Sequence, residues 1–227
     1  MALFGEKKEK KVPKQTKSDK ISSATIITAC MTVTGNLDGT DTIHIDGKVI
    51  GNINVNNTLV IGKSGLVEGD IEAKHVIING ELKGTIKCEN LEVLKTGKVS
   101  HRIEASYLVL DGTIDGDIIG TQSIQVLDNA NIHAVSLKSK TITVNGHIQG
   151  TVIASELLDI GAKGFVEGQI TVKNIRTEEG GRMIGSMSTY EEKSDKSPTP
   201  KKKMGILKTA SKEKTTKEKE DDFFNKK

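Results

Sequence analysis

A seven-residue pattern built on two glycines, Gly-x-[Val/Leu/Ile]-x-Gly-x-[Ile/Val], returns along the chain between residues 47 and 170. Its strict copies are Gly47-Lys-Val-Ile-Gly51-Asn-Ile53, Gly80-Glu-Leu-Lys-Gly84-Thr-Ile86, Gly112-Thr-Ile-Asp-Gly116-Asp-Ile118 and Gly146-His-Ile-Gln-Gly150-Thr-Val152. Looser copies between them are anchored at Gly65, Gly97, Ala130 and Gly164, so an anchor falls about every 17 residues. That period is too short for a strand, a helix and their turns, and it suits one coil of a β-solenoid. A chain of this kind is a repeat protein first, and its function is sought at its ends and on its surface.

The anchors fall into two alternating classes. In the first, an Asn-Gly or Asp-Gly pair (Asp46-Gly47, Asn79-Gly80, Asp111-Gly112, Asn145-Gly146) has apolar residues two and four positions upstream, such as Ile45 and Ile43. In the second, the apolar pair lies four and six positions back, as Ile61 and Leu59 do for Gly65, so the turn is two residues longer. The spacings follow: 47 to 65 is 18, 65 to 80 is 15, 80 to 97 is 17 and 97 to 112 is 15. Inside each coil apolar and polar residues alternate, as in Leu82-x-Gly84-x-Ile86-x-Cys88. Period two means strands with alternate side chains facing inward, and Ile and Val suit that setting. The Asn-Gly and Asp-Gly corners are expected to use positive φ, and the second glycine to mark a backbone approach too close for a Cβ. After Ile132 the register slips, with Val135 and Leu137 in place of positions 134 and 136, which predicts a one-residue bulge.

Charge divides the chain in three. Residues 1–20 carry a net +4, residues 21–175 a net −5 and residues 176–227 a net +4. Pro13, Pro198 and Pro200 all lie outside the middle segment, which holds 18 of the 23 glycines. A proline-free stretch of that length is what an unbroken strand ladder requires. The expected organisation is a basic disordered tail over 1–20, a β-helix domain over 21–175 and a disordered Lys/Glu-rich tail over 176–227. The expected fold is all-β: a single-stranded parallel β-helix of eight to nine coils. With no Trp and Phe165 as the lone Phe of the middle segment, its interior is aliphatic and too narrow for a ligand.

Enzyme chemistry finds little support. The five histidines (His44, His75, His101, His133, His147) lack metal-ligand spacing, and the glycines precede no helix that could cradle a phosphate. The alternation of 15 and 18 breaks any six-residue period of the acyltransferase kind. Cys88 falls at an inward position as a small core residue. No catalytic, cofactor or metal site is expected. Lysines without interleaved aromatics argue against nucleic acid. No secretory signal and no apolar span of about 20 residues is present, which points to the cytoplasm.

The ends hold what remains. Leu3 and Phe4 stand directly before Lys7, Lys8, Lys10 and Lys11, a two-signal arrangement for weak binding to an anionic membrane surface; the same residues also suit a solvated tail. A parallel solenoid has two open ends with unpaired backbone groups, normally blunted by caps. No capping helix is evident after Val172, and Phe165 falls in the last coil expected. Leu37 and Ile43 at one end, with Phe165, Val166, Ile170 and Val172 at the other, are therefore the expected polymer interface. Contacts of that heterologous kind build filaments rather than closed rings.

Taken together, the glycine-punctuated, proline-free repeat, its length, its polar tails and its apolar–basic start resemble the bactofilin family. The resemblance covers residues 21–175 and the Met1–Lys11 segment. It implies a right-handed β-helix that polymerises without nucleotide into bacterial cytoskeletal filaments, peripheral at the inner membrane, scaffolding cell-shape or cell-wall machinery. Itself, the inner-membrane surface, cell-wall enzymes and membrane scaffold proteins are the implied partners. It also implies a phenylalanine in the filament contact, for which Phe165 is the candidate. Two other readings stand beside it: a non-polymerising scaffold that recruits partners through its tails, and a solenoid carbohydrate-active protein.

Overall fold

The structure, a computed structural model, describes residues 24–191. Its first coils are made of short strands: β1 (Thr25–Ile27), β2 (Thr32–Thr34), β3 (Leu37–Gly39), β4 (Ile43–Ile45), β5 (Lys48–Ile50), β6 (Ile53–Ile61), β7 (Leu66–Glu68), β8 (Ile71–Ile78), β9 (Glu81–Lys83) and β10 (Ile86–Val93). Longer strands then bend through the corners: β11 (Lys98–Leu110), β12 (Thr113–Val126), β13 (Asn131–Val144), β14 (His147–Ile160), β15 (Phe165–Thr177) and β16 (Arg182–Thr189). Every pairing is parallel, between one coil and the next. The described residues form no helix. This is the parallel β-solenoid that the glycine period predicts.

Side chains stack in columns along the axis. One inward column runs Val33, Val49, Val67, Leu82, Val99, Ile114, Ile132, Ile148, Val166, Met183. A second runs Leu37, Ile53, Ile71, Ile86, Ile103, Ile118, Leu137, Val152, Ile170, Met187. Each has ten members, so the rod has ten coils rather than eight or nine. At ~4.8 Å per coil the axis is about 48 Å long. The buried core is Ile, Val, Leu and Ala throughout, with no aromatic ring. Burying each large aliphatic contributes about 1.5–3 kcal/mol.

The longer turns of the second anchor class are closed by backbone bonds, with the amide N–H of Gly65, Gly97, Ala130 and Gly164 donating to the carbonyls of Gly62, Leu94, Leu127 and Gly161. The corners differ from expectation in one respect. The Asn-Gly and Asp-Gly glycines do not use positive φ; the second glycines do, among them Gly51, Gly84, Gly116 and Gly150. The first glycine is required instead by proximity, since a Cβ on Gly80 would overlap the Gly65 carbonyl of the coil before it. Beyond this corner, Asn36, Asn52 and Asp70 form a short ladder. The backbone N–H groups of Asn52, Asp70 and Thr85 donate to the side-chain oxygens of the preceding coil at 3.1, 3.1 and 3.0 Å. Each such bond contributes about 1 kcal/mol and ties coil to coil.

The bulge after Ile132 is present, with an altered assignment. Leu137 enters the inward column, but Ala134 takes the buried corner position. Val135 is the extra residue and stands 78% exposed on the outer wall. In the glycine corner column, His101 is the one non-glycine with positive φ among the described residues, at 102°. Holding a β-carbon in that region costs about 1–2 kcal/mol. His101→Gly is expected to raise Tm by roughly 2–4 °C; a lower Tm in a calorimetric scan would show that the His101 side chain contributes more than its strain costs.

The ladder does not stop at residue 175. β15 continues to Thr177, and β16 adds a further rung whose eight residues are all exposed. The cause lies in Gly180-Gly181 and the phrase Arg182-Met-Ile-Gly185, which repeats the glycine pattern with methionine in the aliphatic positions.

Candidate functional site

Every interior coil is covered on both sides, so among the described residues only the two ends of the rod lack a neighbouring coil. At the C-terminal end Met183 follows Val166 and Met187 follows Ile170 in the inward columns. Val166 and Ile170 are buried beneath them, while Met183 is 40% and Met187 56% exposed. Ile184, on the outer side of the same rung, is also exposed. The end therefore presents apolar side chains in their inward positions with no following coil among the described residues.

The N-terminal end is built from β1, β2 and β3. Val33 and Leu37 are partly buried first members of the two columns, and Ile26 and Met31 are exposed. Met31 begins the column continued by Gly47, since the amide of Lys48 donates to the Met31 carbonyl and that of Leu66 to the Gly47 carbonyl. A Cβ on Gly47 would point back into the Met31 carbonyl. Met31 has no described coil before it and is 52% exposed. Among the described residues both rod ends are thus apolar, and no described strand pairs with the outer edge of β16 or of β1 to β3.

The predicted contact residues are distributed unequally. Leu37 lies on the N-terminal end, while Ile43 is buried one coil inward under Thr25. Val166, Ile170 and Val172 are interior residues of the ninth coil, covered by Met183, Met187 and Thr189. Phe165 is likewise one coil short of the end, and it faces outward. Its ring stacks on His147 with centroids 4.7 Å apart and planes 5° from parallel, and the Arg182 guanidinium lies over it at 5.8 Å. Sequence reasoning missed Met183, Ile184 and Met187 because the boundary was set at 175; the Gly164–Gly181 interval of 17 residues was the signal that would have found them. Leu3, Phe4, Lys7, Lys8, Lys10 and Lys11 lie outside the described residues.

The walls offer less chemistry. A hollow of about 460 Å³ at the first coils is lined by Thr25, Asp38, Asn54 and Asn56 among others, with no aromatic ring for a sugar to stack on. Among the described residues no group of three or more His, Cys, Asp or Glu side chains is gathered for a metal, and no helix is long and apolar enough to cross a membrane. Cys88 sits in an inward column of small residues with Ala73 and Ala105, and burial pushes its thiol up to about 12. At pH 8 it is almost wholly a thiol and a poor nucleophile. Ellman's reagent is expected to find one reactive cysteine in the folded chain, the exposed Cys30, and none in Cys30→Ser; rapid labelling of Cys30→Ser would show that Cys88 is accessible.

The family model described as "Bactofilin: Polymer-forming cytoskeletal" matches residues 25–111 and again 105–188, nearly the whole rod. The chain belongs to the bactofilin family. Bactofilins are structural, polymer-forming cytoskeletal proteins, and this one shares with Bactofilin BacO of Myxococcus xanthus (strain DK1622) 35% identity over 71 residues. That match covers 31% of this chain and 56% of BacO, so it spans little more than half of the relative's length. No solved structure matches. The two family matches in tandem agree with the length of the rod: this bactofilin carries family sequence through all ten coils.

Proposed function

We propose that this bactofilin forms filaments by end-to-end stacking of its rods, without nucleotide, at the inner face of a bacterial membrane, where the polymer scaffolds cell-shape or cell-wall machinery. One observation carries the reading. Both terminal coils leave apolar side chains uncovered in the same columns that are fully buried elsewhere: Met183 and Met187 at one end, Val33 and Leu37 at the other. Covering such surface is worth about 25 cal/mol per Å², and pairing the exposed strand edges adds directional hydrogen bonds. The contact set drawn from the sequence shifts accordingly, with Val166, Ile170 and Val172 supporting the end from beneath and Phe165 on the wall beside it.

Negative-stain microscopy of the purified full chain, free of nucleotide, tests the polymer. Filaments one rod wide or wider are expected; a monodisperse monomer at micromolar concentration would leave the tail-recruiting scaffold as the better reading. The membrane part rests on the Leu3–Lys11 segment, whose few apolar residues and lysines give a weak, salt-sensitive attachment. Deleting residues 2–11 is expected to abolish co-sedimentation with anionic liposomes and leave polymerisation intact. Unchanged co-sedimentation of the deletion would remove the segment from that role.

A further inference from the structure

The three methionines among the described residues are Met31, Met183 and Met187, and all three lie in the first or last coil. The eight coils between them use Ile, Val, Leu and Ala at every buried apolar position, with Cys88 partly buried beside them. The switch is sharp within a column: nine aliphatic residues from Val33 to Val166 and then Met183, nine from Leu37 to Ile170 and then Met187. Methionine is a poorer strand former than Ile or Val but adapts its shape to an uneven partner. It also brings a chemistry that the other aliphatics lack. Each of the three is exposed, by 52% at Met31, 40% at Met183 and 56% at Met187.

We propose that these methionines are reversible oxidation sites through which hydroperoxides control assembly of the rods, an inference that rests on the end-to-end reading. In the step, a thioether sulfur attacks one oxygen of hydrogen peroxide. An S–O bond forms, the O–O bond breaks, the sulfur gives up two electrons and water leaves with the protons. The sulfoxide is polar and can only accept hydrogen bonds. On the free rod it faces water and is harmless, because the side chain is already exposed. Inside a junction it is a buried acceptor among apolar groups, and such a group is costly when unpaired. Oxidation thus leaves the rod intact and makes its ends unsuitable for stacking. Thiol-dependent reduction reverses the step, returning the thioether and releasing the oxygen as water while two thiols become a disulfide. Methionines already inside a junction are shielded, so the device acts on unassembled rods and filament tips.

The test uses the full chain in a Cys30→Ser background, which removes the exposed thiol. Unassembled protein is treated with hydrogen peroxide, and peptide mass spectrometry scores each methionine for added oxygen. The expected result is oxidation at Met31, Met183 and Met187, an unchanged thermal melt, and at least a tenfold fall in the fraction that sediments as filaments. Methionine sulfoxide reductases A and B with dithiothreitol are expected to restore sedimentation. In a Met31→Leu/Met183→Leu/Met187→Leu variant, peroxide is expected to leave the sedimenting fraction at that variant's own untreated value, although Met1 and Met204 remain oxidisable in it. Oxidised wild-type protein that still forms filaments would overturn the proposal. So would equal loss in the triple leucine variant, or a melt that collapses on oxidation, since filaments would then be lost through unfolding. Untreated protein that forms no filaments would sink the stacking itself and this inference with it.

Discussion

A chain carrying Met187→Arg is expected to remain a folded rod and to form no filaments. Residue 187 occupies an inward column, yet it is more than half exposed because no described coil follows it. On the free rod an arginine there keeps its guanidinium in water and its stem against Ile170, so the fold loses little. In a stacked junction the same charge is buried against apolar side chains without a partner. An uncompensated buried charge costs about 3–5 kcal/mol, which raises the concentration needed for assembly by about 100- to 5,000-fold. Met183→Arg acts in the neighbouring column, and the double variant removes any residual assembly. Circular dichroism and sedimentation read the two halves of the prediction separately. A wild-type melt with no pellet is the expected pair; a wild-type pellet would place the filament contact elsewhere on the rod.

The second large effect concerns the fold. Gly150 has φ +136°, and a Cβ there would overlap the Ala134 carbonyl of the preceding coil. Gly150→Ala therefore meets two penalties at once: a backbone conformation that L-residues avoid and a clash with main chain that cannot swing aside. Together they cost about 4 kcal/mol or more, and Tm is expected to fall by roughly 8–16 °C. Gly35 provides the control. It shares the positive φ, at +129°, but a Cβ there meets nothing within 4 Å because no described coil precedes it. Gly35→Ala is expected to cost only the backbone strain, about 1–2 kcal/mol. Equal losses at the two sites would mean that coil-to-coil contact is not what fixes glycine in this column.

The solenoid was legible because its rule is local and repeated. The alternation around Leu82 and Ile86, the short turns at Asn79-Gly80 and the longer ones at Gly62–Gly65 each reflect backbone geometry that recurs in every coil. Which glycine needs positive φ was less legible, since close approach and left-handed backbone both select glycine and only coordinates separate Gly80 from Gly84. The ends were the hardest part. Terminal coils relax the pattern because no described coil stacks on one side, so Met31 can stand where later coils have Gly or Ala, and Met183 and Met187 can replace Ile and Val. A boundary drawn by charge composition at 175 fell short of β16 for that reason. Phe165 drew notice as a rare aromatic, whereas its setting against His147 and Arg182 is that of a wall residue.

The rods are expected to join end on, along the solenoid axis. Electron microscopy of nucleotide-free wild-type filaments, averaged to resolve the axial repeat, tests it directly. Strands running across the filament, a ~4.8 Å spacing along its axis, and a subunit repeat of about 48 Å or twice that value from ten coils per rod are expected. Filaments whose 4.8 Å spacing lies across the axis, or whose repeat matches the width of the rod, would contradict it.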